Sequence, residues 1–151
     1  MIAALVTIRE TGPEDETSLQ ALWCAAWEKT YPAIDYRARW PSMWQSWRQS
    51  GAAIYAAMRG RDLIGMLVLL DKADGGLVLE QIALAPAEQG SGTAHLLMAF
   101  AKKRAPDRLR LTVNAFNRRA IHFYEREGFV RTGTGVNANS GLSTFDYEWR
   151  R

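Results

Sequence analysis

Cysteine and histidine are scarce in this sequence: its 151 residues include one cysteine, Cys24, and two histidines, His95 and His122. A single cysteine cannot close an internal disulfide, so the composition is typical of a reducing compartment, and we expect a cytoplasmic protein. Thiolate metal clusters are excluded for the same reason. Because the histidines have no metal-ligand spacing, we also expect no metal and interpret them as structural or exposed.

Long hydrophobic runs are absent as well. The longest apolar run, Leu63–Leu70, has eight residues, whereas a membrane-spanning helix needs about 20. The apolar first six residues have no basic segment before them and are followed by Arg9 and Glu10, which is not the pattern of a signal peptide. We therefore expect no membrane association.

The composition that remains is that of a globular chain. Hydrophobic residues make up 48% of the sequence and charged residues 23%. A chain of this length buries about 68–70% of the surface that its unfolded form exposes, which is enough for a core without disulfide or metal support. We therefore expect a single domain over residues 1–151.

Positive charge is concentrated in one segment of the chain. Residues 99–131 contain nine Lys or Arg against three Asp or Glu, although the whole chain has a net charge of only +3. Such a segment attracts polyanions, either nucleic acid or a phosphorylated small molecule. A merely solvated basic surface is the alternative interpretation.

Hydrophobic periodicity predicts strands and helices that alternate along the chain, and hence an α/β (α+β) fold of about seven strands and four helices. Pro41 is predicted to break the tryptophan-rich segment 36–50, leaving a short helix. Asp74, Gly75 and Gly76 predict a turn. The predicted strands are 6–10, 52–58, 63–71, 77–85, 109–114, 129–132 and 143–150, and the predicted helices are one ending at Pro32, then 42–49, 93–104 and 117–127.

A glycine-bearing loop joins the fourth strand to the third helix. Residues 89–94 read QGSGTA, and glycines let a backbone approach a ligand closely. The first N–H groups of the following helix have no internal partners, so phosphate oxygens could bind there. A flexible turn without a ligand is the alternative. Neither the P-loop pattern nor the dinucleotide pattern G-x-G-x-x-G is present.

Two motifs resemble the GNAT superfamily of acyl-coenzyme A-dependent N-acetyltransferases. The loop 89–94 matches that family's Q/R-x-x-G-x-G/A pattern and follows a strand that carries Ile82-Ala83-Leu84. Residues 117–129, NRRAIHFYEREGF, reproduce the family spacing N-x-x-A-x-x-F-Y-x-x-x-G-F. Both motifs occur in the family's order, and the order of strands and helices fits over nearly the whole chain.

The resemblance implies a mixed, twisted sheet whose fourth and fifth strands splay apart to admit acetyl-coenzyme A. In the family, the loop amides bind the pyrophosphate, the fourth strand pairs with the pantetheine arm, and a strand N–H, here that of Leu84, contacts the thioester oxygen. The cofactor-binding residues implied for this chain are Ile82, Ala83, Leu84, Gln89, Gly90, Ser91, Gly92, Thr93, Ala94, Asn117, Ala120, Phe123 and Tyr124.

Two residues are candidates for proton transfer. An amine with a pKa of about 10 is protonated at neutral pH and must lose a proton before it attacks a thioester. Glu80 is the candidate base, because two-residue alternation would place it on one face with Ile82 and Leu84. Tyr124 matches the family position of the acid that protonates the thiolate. The alternatives are a carboxylate that pairs with a neighbouring group and a core aromatic ring.

Aromatic side chains before residue 50 could line the acceptor site. Trp27, Tyr31 and Trp44 are the candidates, since aromatic faces can hold a cationic amine. Helical spacing equally fits Trp27 as a core residue, and Cys24 beside it is expected to be buried and inert.

The resulting hypothesis is an acetyltransferase that moves an acetyl group from acetyl-coenzyme A to a primary amine of a small molecule or peptide, by direct attack in a ternary complex. The alternative is a catalytically inactive module of the same fold that binds nucleic acid or a regulatory partner. Against it, the basic residues do not interleave with the early aromatics as a stacking platform requires. We therefore expect no nucleic-acid partner; a homodimer is left open.

Overall fold

The computed structural model describes residues 5–72 and 76–151. The chain alternates between strands and helices, with 3-10 turns at Pro13–Asp15 and Pro86–Glu88. The elements in chain order are β1 (Val6–Glu10), α1 (Glu16–Thr30), α2 (Tyr36–Ser50), β2 (Ala53–Arg59), β3 (Asp62–Asp71), β4 (Leu77–Leu84), α3 (Thr93–Arg104), β5 (Arg108–Asn114), α4 (Arg118–Arg126), β6 (Val130–Val136) and β7 (Ser143–Arg150).

The seven strands form one sheet in the order β1-β2-β3-β4-β5-β7-β6. Neighbouring strands are antiparallel, except that β4 and β5 are parallel. The parallel pairing covers only Leu77 with Leu109 and Val78 with Arg110. Beyond these residues the two strands separate, so the middle of the sheet opens into a gap. This confirms the α/β class and the splayed fourth and fifth strands.

Two hydrophobic cores lie on opposite faces of the sheet. The larger one packs α3 and α4 against the sheet and contains Leu67, Leu97 and Leu109, all fully buried. The other packs α1 and α2 against β2, β3 and β4, and it includes Leu19 and Trp40. Each face of the sheet is therefore covered by its own pair of helices, and both pairs pack on β3 and β4.

Most predicted elements are confirmed, but the second helix is longer than predicted. It runs through Pro41 from Tyr36 to Ser50. Proline removes one backbone hydrogen bond, yet here it lies on the exposed side of the helix, and buried Tyr36, Trp40 and Trp47 hold the helix on both sides of it. Tertiary packing outweighs the local cost.

Strand β6 is also longer than predicted and ends at Val136. Of the predicted turn at 74–76, Asp74 and Gly75 lie outside the described residues. In the part of the chain that the structure describes, no helix is long and apolar enough to cross a membrane.

Candidate active site

The gap between β4 and β5 opens into a cavity of about 700 Å³. Residues from both sides of the sheet line it, so the cavity reaches through the sheet. On the side of α3 and α4 the lining includes Gln89, Gly90, Gly92, Ala94, His95, Ala120, Phe123 and Tyr124; on the side of α1 it includes Ala26, Trp27, Thr30, Gln81, Asn114 and Thr144. Two molecules could therefore meet in the gap from opposite faces.

Glu80 lines the cavity at an irregularity in β4. Val68 pairs with Gln81 and Leu69 pairs with Leu79, so Glu80 has no partner on β3 and forms a β-bulge. The two-residue alternation expected to place Glu80 on the face of Ile82 and Leu84 therefore does not continue through this residue. Leu79 and Ile82, three residues apart, both pack against the larger core. Glu80 itself is exposed, and its carboxylate can reach solvent in the cavity.

The backbone of β4 also faces the gap. Ala85 N donates to Ile64 O of β3 at 2.9 Å. Successive N–H groups of a strand point to opposite sides, so the N–H of Leu84 is directed away from β3 and towards the gap. Where β5 has separated, none of the described strands accepts from this N–H, and it is available to a ligand.

The loop before α3 provides an open cradle. Gly90 has φ 84° and Gly92 has φ 93°, a region that favours glycine. A Cβ added at either glycine would meet nothing within 4 Å, so these side-chain positions face open space. Gly92 is the N-cap of α3 and, as a glycine, has no side chain to cap the helix. The first amides of α3 are therefore oriented for an anion, and the loop fits the pyrophosphate of coenzyme A.

An ion pair fixes the start of this loop. Arg59 Nη2 of β2 donates to Glu88 Oε1 at 2.8 Å. This bond from Arg59 holds the pKa of the Glu88 carboxyl below its usual range. The carboxylate that lies beside the cradle is therefore neutralised by a cation at the end of β2.

Ser91 and Thr93 contact each other instead of lining the cavity. Their hydroxyl oxygens are 2.9 Å apart, and Thr93 N donates to Ser91 Oγ at 3.4 Å. Thr93 is 1% exposed. Of the cofactor-binding residues implied by the resemblance, these two hold the loop in shape, whereas the others have atoms on the cavity surface.

Tyr124 lies in α4, which begins at the N-cap Asn117, whose Oδ1 accepts from Ala120 N at 3.2 Å. The ring of Tyr124 packs beside the rings of Phe123 and Phe129. Tyr124 is 7% exposed and lines the cavity. Burial raises its pKa well above the ordinary value, so the hydroxyl stays protonated and can donate a hydrogen bond.

Among the aromatic candidates, Trp27 lines the cavity. Its Nε1 donates to Gln81 Oε1 at 3.2 Å. Tyr31 packs on Phe116, with ring centroids 4.6 Å apart. Trp44 stacks on Trp40 in the core between α1 and α2. Tyr31 and Trp44 have no atoms among the described residues that line the cavity, so the structure brings only one of the three to it.

Several lining residues were missed by the sequence analysis. Gln81, Asn114 and Thr144 lie on the α1 side, and Arg119 and Arg126 lie on α4. The basic segment 99–131 was a signal for the two arginines. No sequence signal indicated Gln81, Asn114 and Thr144, because they come from three strands that are far apart in sequence.

The two histidines and Cys24 have no evident catalytic arrangement. His95 Nδ1 lies 2.8 Å from Glu127 Oε2 and links α3 to the end of α4. His122 is exposed on α4. Cys24 is buried in the core under α1, and burial raises the pKa of its thiol, which disfavours the nucleophilic thiolate.

Comparison with known proteins bears on this site. The model of the acetyltransferase (GNAT) family matches residues 17–129. The chain is 27% identical over 132 residues, 85% of either chain, to the peptidyl-lysine N-acetyltransferase YjaB of Escherichia coli K12.

Solved structures share the fold. The PaiA N-acetyltransferase of Thermoplasma acidophilum, solved in complex with coenzyme A, is 22% identical with a TM-score of 0.76, covering 97% of this chain and 99% of that one. An acetyltransferase of Thermus thermophilus is 16% identical with a TM-score of 0.82, covering 99% of this chain and 100% of that one.

Proposed function

This chain belongs to the GNAT family of acetyltransferases, and from that premise we propose that it transfers the acetyl group of acetyl-coenzyme A to the side-chain amine of a lysine in a peptide or protein. Acetyl transfer to an amine follows from the family. The lysine acceptor rests on the likeness to a peptidyl-lysine N-acetyltransferase. The observation that carries the proposal is the cavity that reaches through the sheet between β4 and β5.

The cradle before α3 holds the donor in this proposal. Gly90 and Gly92 leave open space, and the first turn of α3, whose N-cap is a glycine, presents N–H groups to the pyrophosphate. Acetyl-coenzyme A supplies an activated thioester carbonyl. The N–H of Leu84, which is directed into the gap, donates to the carbonyl oxygen and stabilises its developing charge.

Two side chains handle protons at the gap. Glu80, on the bulge, takes a proton from the acceptor ammonium, directly or through water, so that the amine lone pair becomes available. Tyr124 donates its hydroxyl proton as a hydrogen bond to the departing thiolate. Because its pKa is raised, the hydroxyl remains protonated throughout the physiological pH range.

Direct transfer is favoured over an acetylated enzyme. The chain has one cysteine, Cys24, and it is buried in the core under α1 and α2. Its thiol does not line the cavity. The amine therefore attacks the thioester itself while donor and acceptor are bound together.

An amine-panel assay tests the proposed function. Free thiol release from acetyl-coenzyme A is followed with three acceptors: a peptide with one lysine and blocked ends, a peptide whose only amine is its N-terminus, and a small alkyl amine. We expect release with the lysine peptide at the highest kcat/KM. No release above the enzyme-free rate with any amine would contradict acetyl transfer. Release with the other acceptors but not with the lysine peptide would contradict the lysine acceptor.

A further inference from the structure

The α1 side of the gap contains a polar residue at the very end of β5. Leu109, Leu111 and Val113 of this strand face the larger core. Because side chains alternate along a strand, Asn114 faces the opposite side of the sheet, where α1 lies. Asn114 also lines the cavity, so its side chain borders the half of the gap that the donor cradle does not occupy.

The backbone holds Asn114 in place. Its carbonyl oxygen accepts from Asn117 N at 3.0 Å, and the next residue, Ala115, donates to Ser143 O at 2.9 Å. Across the sheet Asn114 pairs with Thr144, which is 5% exposed. These bonds fix the backbone of Asn114 and hence the position of its Cβ, as a ligand-binding group requires.

The side-chain oxygen of Asn114 is buried and has no hydrogen-bond partner in the described part of the chain. A buried acceptor without a donor is unfavourable. Two other polar groups that line the cavity are already engaged: Gln81 Oε1 accepts from Trp27 Nε1, and Thr112 Oγ1 donates to Asp146 Oδ1 at 2.9 Å. A bound molecule with an N–H group would supply the missing donor.

We propose that Asn114 Oδ1 accepts a hydrogen bond from the attacking amine of the acceptor and thereby selects primary over secondary amines. The inference rests on the proposed function and adds a specificity-determining residue to it. The acceptor is favoured over the donor as the partner because the loop that cradles the donor and Tyr124 lie on the α3 and α4 side, whereas Asn114 faces the α1 side.

The number of N–H groups on the amine explains the expected preference for primary over secondary amines. A neutral primary amine has two N–H groups. When its nitrogen forms the C–N bond and the C–S bond breaks, the nitrogen gives up one proton to a base, and the sulfur leaves as a thiolate that accepts a hydrogen bond from Tyr124. The second N–H remains in the amide product, so its bond to Asn114 persists throughout. A secondary amine has a single N–H, which it must lose, so the bond to Asn114 has to break.

The test compares two peptides that differ by one methyl group on the lysine nitrogen, each with blocked ends. In Asn114→Leu, which removes the acceptor but keeps side-chain bulk, kcat/KM for the lysine peptide should fall about 10- to 100-fold. The N-methyl-lysine peptide should change little, so the ratio between the two falls by the same factor. Asn114→Asp retains an acceptor oxygen and should restore a KM near that of the wild type.

A control variant and two further measurements distinguish this role of Asn114 from a structural role and from binding of the donor. Thr112→Val alters the same strand and face, but at a hydroxyl that is already bonded, and it should keep the wild-type ratio. The melting temperature of Asn114→Leu should equal or exceed that of the wild type, because the variant removes a buried polar atom without a partner. Calorimetry should give an unchanged Kd for acetyl-coenzyme A.

Three results would overturn the proposal: equal losses with both peptides, a weakened Kd for acetyl-coenzyme A, or a lowered melting temperature that accounts for the loss. If the wild type transfers no acetyl group to any amine, the proposed function is wrong. The contact between Asn114 and the acceptor is then tested by a binding measurement. The side-chain amide resonance of Asn114 is then followed by NMR while lysine peptide is added to protein saturated with coenzyme A. A shift supports the contact, and its absence overturns it.

Discussion

Tyr124 is a buried residue that still borders the cavity, and this combination sets its chemistry. Its ring is part of the larger core, and burial raises its pKa. A tyrosine in this state is a hydrogen-bond donor and not a phenolate. In the proposed mechanism Tyr124 therefore contributes a hydrogen bond to the sulfur as the C–S bond breaks.

Replacing Tyr124 by phenylalanine separates this role from packing. Tyr124→Phe keeps the ring contacts and should lower kcat by about 10²–10⁴-fold, with little change in the Kd of acetyl-coenzyme A. Tyr147→Phe is the matched control, because Tyr147 is buried in the same core but donates to Glu125. It should cost about 1–3 kcal/mol of stability and leave kcat nearly unchanged. Wild-type kcat in Tyr124→Phe, with chemistry rate-limiting, would refute the role.

The pH profile provides an independent prediction. Since the pKa of Tyr124 is raised above its ordinary value near 10, its ionisation should cause no fall in kcat between about pH 8 and pH 10. The measurement is kcat against pH at saturating substrates, with the melting temperature recorded at each pH. A reversible decline in this range that disappears in Tyr124→Phe would contradict the raised pKa.

For single residues, the sequence predicted which ones line the cavity better than it predicted which way their side chains point. Tyr124 and the loop glycines were found by motif, and they do line the cavity. Glu80 was placed by alternation, which the bulge at that residue interrupts. A bulge depends on the pairing of two strands, so the sequence of β4 alone could not reveal it.

In the proposed function the loop before α3 binds the pyrophosphate of acetyl-coenzyme A through its backbone. Gly92→Val should weaken acetyl-coenzyme A binding by more than about tenfold, because it fills the open space of the cradle and strains a residue with φ 93°. Gly60→Val is the control: Gly60 has φ 62° and open space, but it lies in the turn between β2 and β3.

Both variants should lose about 1–2 kcal/mol of stability to backbone strain, and only Gly92→Val should lose affinity. Calorimetric titration of the folded proteins measures this difference. An unchanged Kd in Gly92→Val would show that the phosphates bind elsewhere.

The pair of Arg59 with Glu88 links β2 to the same loop. Arg59→Met leaves the Glu88 carboxylate without this guanidinium beside the anion cradle, and it should weaken acetyl-coenzyme A binding by up to about fivefold, or about 1 kcal/mol. Adding Glu88→Gln in the double variant removes the charge and should restore most of the affinity. If the double variant binds as weakly as Arg59→Met, the effect is structural and not electrostatic.

Element boundaries show where sequence patterns are sufficient. Helix α3 and strand β7 begin and end where they were predicted, because glycine, proline and periodicity mark their ends. Helix α2 was predicted too short, since its continuity through Pro41 depends on the packing of Trp40 and Trp47 in the second core. That packing is not visible in the local sequence.

At the scale of the whole molecule, the site arises from the parting of two strands in an otherwise continuous sheet. The donor side was predictable, because its residues cluster in two short motifs. On the acceptor side only Trp27 was predicted, because Gln81, Asn114 and Thr144 come from β4, β5 and β7 and meet only in the folded chain. The donor half of the site was therefore predicted in detail and the acceptor half mainly by residue type.

In the proposed reaction an amine takes the acetyl group directly from acetyl-coenzyme A within this gap. Its most direct test is a single-turnover reaction in which intact mass spectrometry follows both the protein and a lysine peptide over time. We expect an acetyl group on the peptide lysine and no acetylated protein at any time, with the reaction slowed in Tyr124→Phe. An acetylated protein that forms before the peptide is added, and then passes its acetyl group to the peptide, would contradict it.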